Sequence, residues 1–368
     1  MSMPGDGVYD VVIVGGGLGG LSLARRLEQR GGHYLLLEAR GRLGGRIWSP
    51  PGAGHGDGYD LGPAWFWPGQ QRMARLVDEL GLADFEQYAR GRLVYEERVG
   101  ARRELEFSTM AGSRRLVGGL GRLVAALAGE LSPQRVCVNA PVTALRRLAG
   151  RVLLLVEGEG EPRRVLAQRV VLALPPRLMP GLSFDPPLAP AAVEAMAAIP
   201  TWMAGQAKVV AVYSRPFWRR AGLSGDAISR LGPLAEIHDA SPADGGVGAL
   251  FGFVGLPAAE RGDGEALQRA AVEQLARLFG PLAGKPAAVL YRDWANDPWS
   301  ATSRDRHDPG MGHPDYGMPA VLRGLWEGQL LLAGSELAGE YGGFLEGALV
   351  AAEAVLGALP RERTGAAQ

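Results

Sequence analysis

Cysteine and histidine are scarce in this sequence, and their scarcity limits the chemistry that it can support. The single cysteine, Cys137, excludes an internal disulfide bond and a metal site made of several cysteines. Two of the five histidines lie in RDRHDPGMGHPDY, residues 304–316, but their spacing matches no metal-ligand motif. The glycines and prolines of this segment predict a loop. The sequence therefore predicts no metal site.

Long apolar runs and an excess charge of one sign are also missing. No uninterrupted apolar run is long enough to cross a membrane, and the first one, in VYDVVIVGGG, reads as a strand and turn rather than a signal peptide. The 39 basic and 39 acidic residues balance, which indicates neither nucleic-acid binding nor attraction to an anionic membrane. We expect a soluble, cytoplasmic protein. Its 368 residues suffice for two domains or for one domain with an insertion.

Lysine is scarce as well, because Lys208 and Lys285 leave 39 − 2 = 37 arginines among the basic residues. In GQAKVVAVYSRPFW, residues 205–218, the alternating pattern predicts a strand with Lys208, Val210 and Val212 on one face. Such a lysine can be a solvated charge that protects an edge strand. It can also serve chemistry that needs an amine whose pKa falls on burial, which a guanidinium does not provide. The segment alone leaves both interpretations open.

The N-terminal residues contain a nucleotide-binding pattern. A strand from Val8 to Val14 is followed by the turn GGGLGG and by LSLARRLEQR, which has helical periodicity and stops at Gly31-Gly32. A second strand, from His33 to Leu37, ends in Glu38. This order of strand, G-x-G-x-x-G turn, helix, strand and acid predicts a dinucleotide site.

Each glycine of the turn has a physical task. Gly15 makes the tight turn, Gly17 lets the backbone approach a pyrophosphate, and Gly20 allows the helix to pack closely on the strand. The helix N-terminus presents unpaired N–H groups and a partial positive charge to the phosphates. Glu38 is expected to accept hydrogen bonds from the adenosine ribose, and its charge argues against the 2′-phosphate of NADP.

A second pair of glycines follows the acid. Residues 38–46 read EARGRLGGR, in which Arg40, Arg42 and Arg46 bracket Gly44-Gly45. A second glycine turn with flanking arginines suits a cofactor that extends well past its pyrophosphate. The pattern therefore favours FAD over NAD.

Several segments resemble the flavin-containing amine oxidases, which are monoamine oxidase-like FAD flavoproteins. They follow the family's order over nearly the whole chain and read VVIVGGGLGGLSLARRL, LLLEARGRLGGR, DLGPAWF, VVLALPP, KVVAVYSRPFW, DWANDPWS and LLLAGSELAGEYGGFLEGALVAAE. The resemblance implies an α/β fold with a Rossmann-like FAD-binding domain of discontinuous segments, residues 1–69, 111–197 and 294–368. It also implies an α+β substrate domain with an antiparallel sheet, residues 70–110 and 198–293.

The resemblance further implies which residues bind FAD and act on the substrate. Lys208 matches a lysine that holds a water near flavin N5, and the expected catalytic set adds Phe344, Tyr341 and Trp299. The expected FAD-binding residues are Gly15, Gly17, Gly20, Glu38, Arg40, Gly44, Gly45, Arg46, Gly62, Val142, Trp294, Gly334, Ser335, Glu336, Gly343 and Leu345.

The C-terminal segment fits this assignment. Gln329 to Ala333 reads as a buried strand ending at Gly334, and a helix begins at Phe344 after Gly342-Gly343. In the family, the N-terminus of this helix points toward the pyrimidine edge of the flavin. Its positive dipole end would stabilise the anionic reduced flavin there.

The attachment of FAD departs from the pattern of some family members. Those members bond FAD to a cysteine in the segment that corresponds to WSATSRD, where the nearest candidate position in this chain is Ser303. Cys137 lies instead in RVCVNAPV, a strand expected on the adenine side. The resemblance therefore implies noncovalent FAD.

The aromatic rings that flank the substrate amine in the family are a second departure. One ring position corresponds to Phe344, which lacks a hydroxyl, and the other falls near Ser303 or Arg304, where there is no ring. The candidates to replace the missing ring are Tyr341, Trp299, Trp65 and Trp67.

The length of the chain is a third departure. The stretch between GPAWFWPGQ and SRRLVGGLGRLVAALA is much shorter than the helical insertion that many relatives carry. A small cap over the flavin is expected, with a site that is either open or completed by another subunit.

The leading functional interpretation is FAD-dependent oxidation of a small-molecule amine. A hydride equivalent passes from the amine α-carbon to flavin N5, the imine is hydrolysed to an aldehyde or ketone, and molecular oxygen reoxidises the flavin to give hydrogen peroxide. Two alternatives stay open: a carbon–carbon desaturase or related flavin oxidoreductase on the same fold, and an accessory flavoprotein whose FAD is structural.

Overall fold

The computed structural model describes residues 7–50, 58–158, 161–307 and 312–360. The chain divides into two compact units, each built from separate segments. The first unit comprises Met1–Arg46, Val124–Trp202 and Gly312–Gln368, and the second comprises Ile47–Leu123 and Met203–Met311. No helix among the described residues is long and apolar enough to span a membrane.

The described residues form the following elements. The strands are β1 Val8–Val14, β2 Tyr34–Leu37, β3 Asp84–Glu86, β4 Arg92–Glu96, β5 Arg102–Leu105, β6 Arg114–Leu116, β7 Val136–Cys137, β8 Val142–Leu148, β9 Arg151–Val156, β10 Arg163–Leu172, β11 Ser183–Asp185, β12 Ala207–Tyr213, β13 Leu223–Ser229, β14 Leu234–Asp239, β15 Gly248–Val254, β16 Ala288–Asp293 and β17 Leu330–Leu332. The α-helices are α1 Leu18–Gln29, α2 Gln71–Glu79, α3 Gly121–Gly129, α4 Pro190–Ala198, α5 Phe217–Arg220, α6 Gly264–Phe279, α7 Ser303–His307 and α8 Leu345–Ala358. The 3₁₀ helices are Pro133–Arg135, Pro176–Gly181, Ala258–Glu260, Pro281–Gly284, Trp294–Asn296, Ala320–Leu322, Leu325–Gly328 and Ser335–Leu337.

The first unit contains a mixed sheet with the strand order β11-β8-β9-β10-β1-β2-β7, in which β17 also pairs with β10. Strands β7, β2, β1, β10 and β17 are parallel to their neighbours within this group, whereas β8, β9 and the first half of β10 form an antiparallel meander. The predicted strand–turn–helix–strand start and the predicted final strand and helix are confirmed.

The carboxyl ends of the parallel strands lie at one edge of this sheet. Val14 is in register with Leu37 and with Leu172, and Leu172 is in register with Leu332. The residues that follow these four positions therefore converge at that edge, which is where open α/β sheets bind ligands.

The second unit contains a sheet with the order β16-β12-β15-β14-β13-β4-β5, mostly antiparallel, and a small β3-β6 ribbon. Helix α6 packs on one face, where Val209, Ala211 and Leu250 form a core with Leu267 and Leu275. The opposite face is covered by the segment around Tyr59 and Leu61, in contact with buried side chains that include Val210, Val212 and Phe251. The predicted antiparallel sheet is thus present.

Lys208 lies in the interior of this sheet. Strand β12 pairs with β15 on one side and with β16 on the other, and the Lys208 side chain is only 5% exposed. The interpretation of Lys208 as a solvated edge charge is therefore wrong, because β12 is not an edge strand.

The division into units differs from the predicted domain boundaries. Residues 47–69, 111–123 and 294–311 belong to the second unit, and 198–202 to the first. Hydrogen bonds to the rest of the second unit account for the shift of the three longer segments. Gly62 O accepts from Lys208 Nζ at 2.5 Å, Arg115 Nη1 donates to Ser241 O at 2.9 Å, and Trp294 N–H donates to Gln206 O at 2.9 Å. The functional assignment of those segments stays a prediction.

The predicted loop at residues 304–316 is helical at its start. Helix α7 begins at Ser303, and the Asp305 carboxylate accepts hydrogen bonds from the backbone N–H and the hydroxyl of Thr302, both at 2.8 Å. This carboxylate stabilises the first turn, which the glycine and proline content of the segment did not reveal. Residues 308–311 of the segment lie outside the described part of the chain.

Candidate active site

The first glycine turn connects β1 to α1 in the first unit. Gly15 has φ +111°, and a Cβ there would lie 2.5 Å from Ala173 O, so only glycine fits. Gly20 is equally constrained, since its Cβ would lie 1.9 Å from Gly15 O. The tasks predicted for these two glycines, a tight turn and close helix packing, agree with this geometry.

Gly17 is the N-cap residue of α1, and it leaves the helix N-terminus available to a ligand. Glycine has no side chain that could cap the helix, and α1 has no side-chain capping hydrogen bond at this residue. Among the described atoms, a Cβ at Gly17 would meet only Gly45 Cα, at 4.0 Å, so the glycine is not demanded by a protein neighbour. An uncapped N-terminus of a 12-residue helix beside a residue without a side chain fits a pyrophosphate group.

Glu38 follows β2 and is buried beside the turn. Its Oε2 accepts from Gly16 N–H at 2.7 Å, and its Oε1 accepts from Arg40 N–H at 2.9 Å. The Arg40 guanidinium lies 3.5 Å from Oε1. The carboxylate is thus fixed by backbone donors, and each oxygen keeps a lone pair for a ribose hydroxyl.

The second glycine turn lies against the first. Gly17 and Gly44 form a parallel bridge, and Gly44 N–H donates to Gly16 O at 2.8 Å. Both glycines of the second turn have positive φ, +100° at Gly44 and +58° at Gly45. The structure therefore brings the two predicted glycine turns together within one unit.

Arg46 links the second turn to the segment after β17. Its Nη1 donates to Glu336 Oε1 at 2.6 Å, and its Nη2 donates to Ser335 Oγ at 2.8 Å. Ser335 Oγ in turn donates to Glu336 Oε2 at 2.9 Å, and the Glu336 side chain is fully buried. Three predicted FAD-binding residues thus form one ion-paired network.

The remaining predicted residues of the first unit lie near the same strand ends. Gly334 follows β17, and its Cβ would lie 2.4 Å from Leu174 O. Gly343 has φ +80° and precedes α8, whose first residue is Leu345. Val142 begins β8, two residues after Ala140, whose N–H donates to Glu38 O at 2.9 Å.

In the second unit, Lys208 is enclosed by rings and one carbonyl. Its Nζ donates to Gly62 O at 2.5 Å and lies 5.6 and 5.2 Å from the ring centroids of Phe251 and Phe253. Burial lowers the pKa of the Lys208 ammonium to about 7, and the charge of Asp60 opposes this shift. An amine in this state can both donate and accept a proton near neutral pH.

The neighbours of Lys208 toward β16 include one predicted position, Trp294, and one residue that was not predicted, Arg292. Trp294 follows β16, and its indole N–H donates to Leu61 O, next to Gly62. Arg292, directly opposite Lys208 in the strand register, is ion-paired with Asp297 and lies over the Trp294 ring at 4.8 Å.

A second ionisable cluster lies on the same sheet face as Lys208. His238 Nδ1 is 3.1 Å from Asp226 Oδ1, and its Nε2 is 3.1 Å from Glu236 Oε1 in an ion-pair contact. Burial lowers the pKa of the His238 imidazole, but hydrogen bonds to Asp226 and Glu236 outweigh it and raise the pKa overall. The Glu236 side chain is 40% exposed, whereas Asp226 and His238 are buried.

The aromatic candidates lie in different surroundings. Phe344, in the first unit, stacks on His313 with centroids 4.8 Å apart, and His313 Nε2 is 2.8 Å from Gly342 O. Tyr341 and Trp299 are 41% and 43% exposed. Trp65, in the second unit, contacts the rings of Phe251 and Phe253 that lie over Lys208.

Sequence reasoning assigned no part in this site to Asp60, His238, Glu236 or His313. A signal existed for His238 and Glu236, because LAEIHD places charged residues inside a strand that is otherwise apolar. Asp60 lies in the segment DLGPAWF, and His313 was considered only as a metal ligand.

The fold and the two glycine turns define a dinucleotide-binding protein of the α/β class. A sequence profile of the family described as flavin containing amine oxidoreductase matches residues 18–99 and 93–356. The chain therefore belongs to this family and is an FAD-dependent amine oxidoreductase.

Individual relatives agree with the family match. Putrescine oxidase of Kocuria rosea is 28% identical over 79% of this chain and 83% of its own. The probable flavin-containing monoamine oxidase A of Dictyostelium discoideum is 24% identical over 93% of this chain and 95% of its own. Among solved structures, cyclohexylamine oxidase from Brevibacterium oxydans IH-35A has a TM-score of 0.80 at 19% identity, covering 96% of this chain and 99% of that one. This structural likeness supports the fold.

The comparison also bears on chain length. The alignment with the Dictyostelium protein spans 450 positions, more than the 368 residues of this chain, so this chain lacks segments that the relative has. The two stretches matched by the family profile meet at residues 93–99, at β4 and the turn after it. This agrees with the expected loss of a segment between residues 69 and 113.

Replacement of Glu38 tests the nucleotide site. We expect Glu38→Gln to weaken FAD binding at least tenfold, because a hydrogen bond to a charged acceptor contributes roughly 1.5–3 kcal/mol. Titration of apoprotein with FAD, followed by flavin fluorescence, measures the dissociation constant. Glu340→Gln, an exposed carboxylate of the same unit, is the control. Unchanged FAD affinity in a folded Glu38→Gln protein would contradict the ribose contact.

Proposed function

We propose that the protein oxidises a small-molecule amine to an imine, which water converts to an aldehyde or ketone and ammonia or a smaller amine. Molecular oxygen is the final electron acceptor and leaves as hydrogen peroxide. The observation that carries this proposal is a buried lysine in the interior of the sheet, enclosed by aromatic rings, in a chain whose basic residues are arginines except for Lys208 and Lys285.

FAD supplies the two-electron oxidant, a capacity that amino-acid side chains lack. The residues that would hold it are those of the two glycine turns, Glu38, and the Arg46–Ser335–Glu336 network. Gly343 and the N-terminus of α8 would face the flavin ring, as the family resemblance implies, and their positive dipole end would favour its anionic reduced form. Gly62, Trp294, Val142 and Leu345 complete the proposed cofactor contacts.

Lys208 is proposed to hold and activate a water molecule. Because its pKa is about 7, the neutral amine is abundant at neutral pH and can accept a proton as water attacks the imine carbon. The protonated form can later return that proton to the leaving nitrogen. Phe344 is proposed to face the amine with its ring. The candidates for the second ring are Trp65, Tyr341 and Trp299. We favour Trp65 because it contacts the rings of Phe251 and Phe253 around Lys208.

The attachment of FAD can be tested directly. The cofactor is proposed to be noncovalent, since Cys137 is the only cysteine and lies in β7, next to the backbone of Glu38 rather than in the segment of Ser303. Acid or heat precipitation of the yellow protein should release FAD into the supernatant. Flavin retained in the pellet would contradict this prediction, and recovery of FMN would remove the role of Glu38.

Lys208 variants test the proposed reaction. Lys208→Met should keep the fold and FAD binding, because methionine preserves the apolar stem, but lose the proton acceptor. We expect imine hydrolysis or reaction with oxygen to slow by tenfold or more, equal to about 1.4 kcal/mol of barrier. Rapid mixing with amine, first without oxygen and then with it, separates flavin bleaching from later steps. Lys208→Arg should not restore the rate, and Lys285→Arg is the matched control.

The same experiment separates the alternatives. Bleaching by an amine supports amine oxidation, and bleaching only by an unsaturated-ring precursor would favour a desaturase. Absence of bleaching with every substrate would indicate a structural flavin. Wild-type rates in both Lys208 variants would overturn the role of the lysine.

The charge of the second cluster supports a narrower substrate class. Asp226 and Glu236 contribute two carboxylates, and a protonated His238 offsets only one of them. Glu236 is partly exposed and lies on the same sheet face as Lys208. Lys208 on β12 and Glu236 on β14 each pair with Phe253 on β15, the strand between them. Two strand spacings therefore separate Lys208 from Glu236, roughly 10 Å between their Cα atoms. We propose an amine that carries a second positive charge, in agreement with the name of the relative putrescine oxidase.

Paired substrates test this narrower proposal. The ratio of kcat/KM for 1,4-diaminobutane to that for butylamine should exceed ten in the wild type. Glu236→Gln should lower the ratio at least tenfold by removing the charge that receives the second ammonium. Glu260→Gln, which changes an exposed glutamate of the same unit, should leave the ratio unchanged. Equal kcat/KM values for the two substrates in the wild type would contradict the proposal.

A further inference from the structure

A buried carboxylate lies beside Lys208 and has a role that the reaction described above does not assign. Asp60 is two residues before Gly62, whose carbonyl accepts the hydrogen bond from Lys208 Nζ. The side chain of Asp60 is 4% exposed. The segment that carries both residues covers the sheet face from which Lys208 projects, with Tyr59 and Leu61 in its core.

The two oxygens of Asp60 are in different situations. Oδ1 accepts from Ser49 Oγ at 2.5 Å and from Leu120 N–H at 2.9 Å, so its position is fixed. Oδ2 is buried, and it has no hydrogen-bond partner among the described residues. A buried carboxylate oxygen without a donor is costly unless a nearby positive charge or a proton compensates for it.

Two cations face Asp60, and they are not equivalent. Arg115 is buried, but its guanidinium donates to Ser241 O at 2.9 Å and Ala240 O at 3.0 Å rather than to Asp60. Its charge is also shared with Asp239. Lys208 has no carboxylate other than Asp60 among the charges that shift its pKa.

The other groups around Lys208 leave this pairing undisturbed. Its neighbour on β15 is Phe253, which is uncharged, and its neighbour on β16 is Arg292. Arg292 is balanced by its own ion pair with Asp297. The buried charge of Lys208 therefore depends chiefly on Asp60.

We propose that Asp60 is a positioning residue that sets the protonation state of Lys208 through its charge, so that the two side chains titrate as one coupled pair. The inference rests on the proposed function of Lys208 but extends it to Asp60, the first residue of the segment DLGPAWF, to which the sequence analysis assigned no role. The orphaned Oδ2 is the atom that takes the second proton when the lysine is charged and the pH falls.

The pKa values of the two groups agree with coupling. Burial raises the pKa of the Asp60 carboxyl to about 6, against the Ser49 hydroxyl and the charges of Arg115 and Lys208. Burial lowers that of Lys208 to about 7, against the charge of Asp60. Because the charge of each group shifts the pKa of the other, the two titrations are linked.

The scarcity of lysine makes the proposal directly measurable. Holoprotein labelled with ¹³C at lysine Cε yields two signals, from Lys208 and from the exposed Lys285, and Lys208→Met assigns them. In Asp60→Asn the Lys208 midpoint should fall by about one pH unit or more, because an opposite charge at this range shifts a pKa by roughly that amount. The midpoint of Lys285 should not move.

Asparagine keeps the acceptor at the Oδ1 position, so the bonds from Ser49 and Leu120 can persist. Asp84→Asn removes a carboxylate of the same unit that is ion-paired with Arg114, and it should leave Lys208 unchanged. An unshifted Lys208 midpoint in Asp60→Asn, at an unchanged melting temperature, would overturn the proposal.

A second measurement covers the case in which Asp60→Asn does not fold. Coupling is reciprocal, so Lys208→Met should raise the pKa of one buried carboxyl, seen as the difference between ¹³Cγ-aspartate titrations of wild type and variant. The absence of any displaced carboxyl titration would overturn the coupling. None of these titrations requires turnover. Failure to find an amine substrate would contradict the proposed function, whereas the coupling of Asp60 and Lys208 would still be decided by the titrations alone.

Discussion

The desolvation of one ammonium group in an interior strand is the constraint around which the second unit is arranged. Lys208 lies on β12, between β15 and β16, where its charge is withdrawn from bulk solvent and is not on an edge strand. Burying a charge is tolerated only when the group is paired, hydrogen-bonded or neutralised. Three features of the structure stabilise Lys208. The Gly62 carbonyl accepts a hydrogen bond from its ammonium, and the Phe251 and Phe253 rings present their negative faces to it. The pKa of Lys208 also falls far enough for the neutral amine to be populated.

A different constraint governs the first unit, and it is steric rather than electrostatic. Four parallel strands end in register, and the residues after them must pass within contact distance of one another. Gly15 approaches Ala173 and Gly334 approaches Leu174 so closely that any Cβ would collide with a backbone oxygen. Because the backbone passes so closely at Gly15 and Gly334, the α1 N-terminus, Glu38 and the Arg46–Glu336 pair all lie around one edge of the sheet. A long dinucleotide requires this arrangement.

The two units differ in how far their sequences allowed them to be predicted. In the first, β1, α1, β2, β17 and α8 followed from local patterns, because a strand, a glycine turn and a helix that are adjacent in the chain each have their own signature. In the second, the strand of Lys208 was predictable but its partners were not. Glu236 and His238 face Lys208's side of the sheet only after an irregularity in register between Leu234 and Glu236. Such a shift in register decides which face of the sheet a side chain occupies, and the local sequence pattern does not predict it.

Strand alternation explains how chemistry and stability coexist in one sheet. Lys208 is followed by Val209, and Glu236 and His238 flank Ile237, so charged side chains face one side while apolar ones join the α6 core on the other. Phe251 and Phe253 repeat the alternation on the strand between them. A substitution on the α6 side therefore leaves a cavity and lowers the free energy of unfolding. A change such as lysine to methionine on the other side removes a buried charge at little cost in packing. This separation lets the protein keep a costly ionisable group inside a sheet, because the core that holds the strands together is built from the intervening residues.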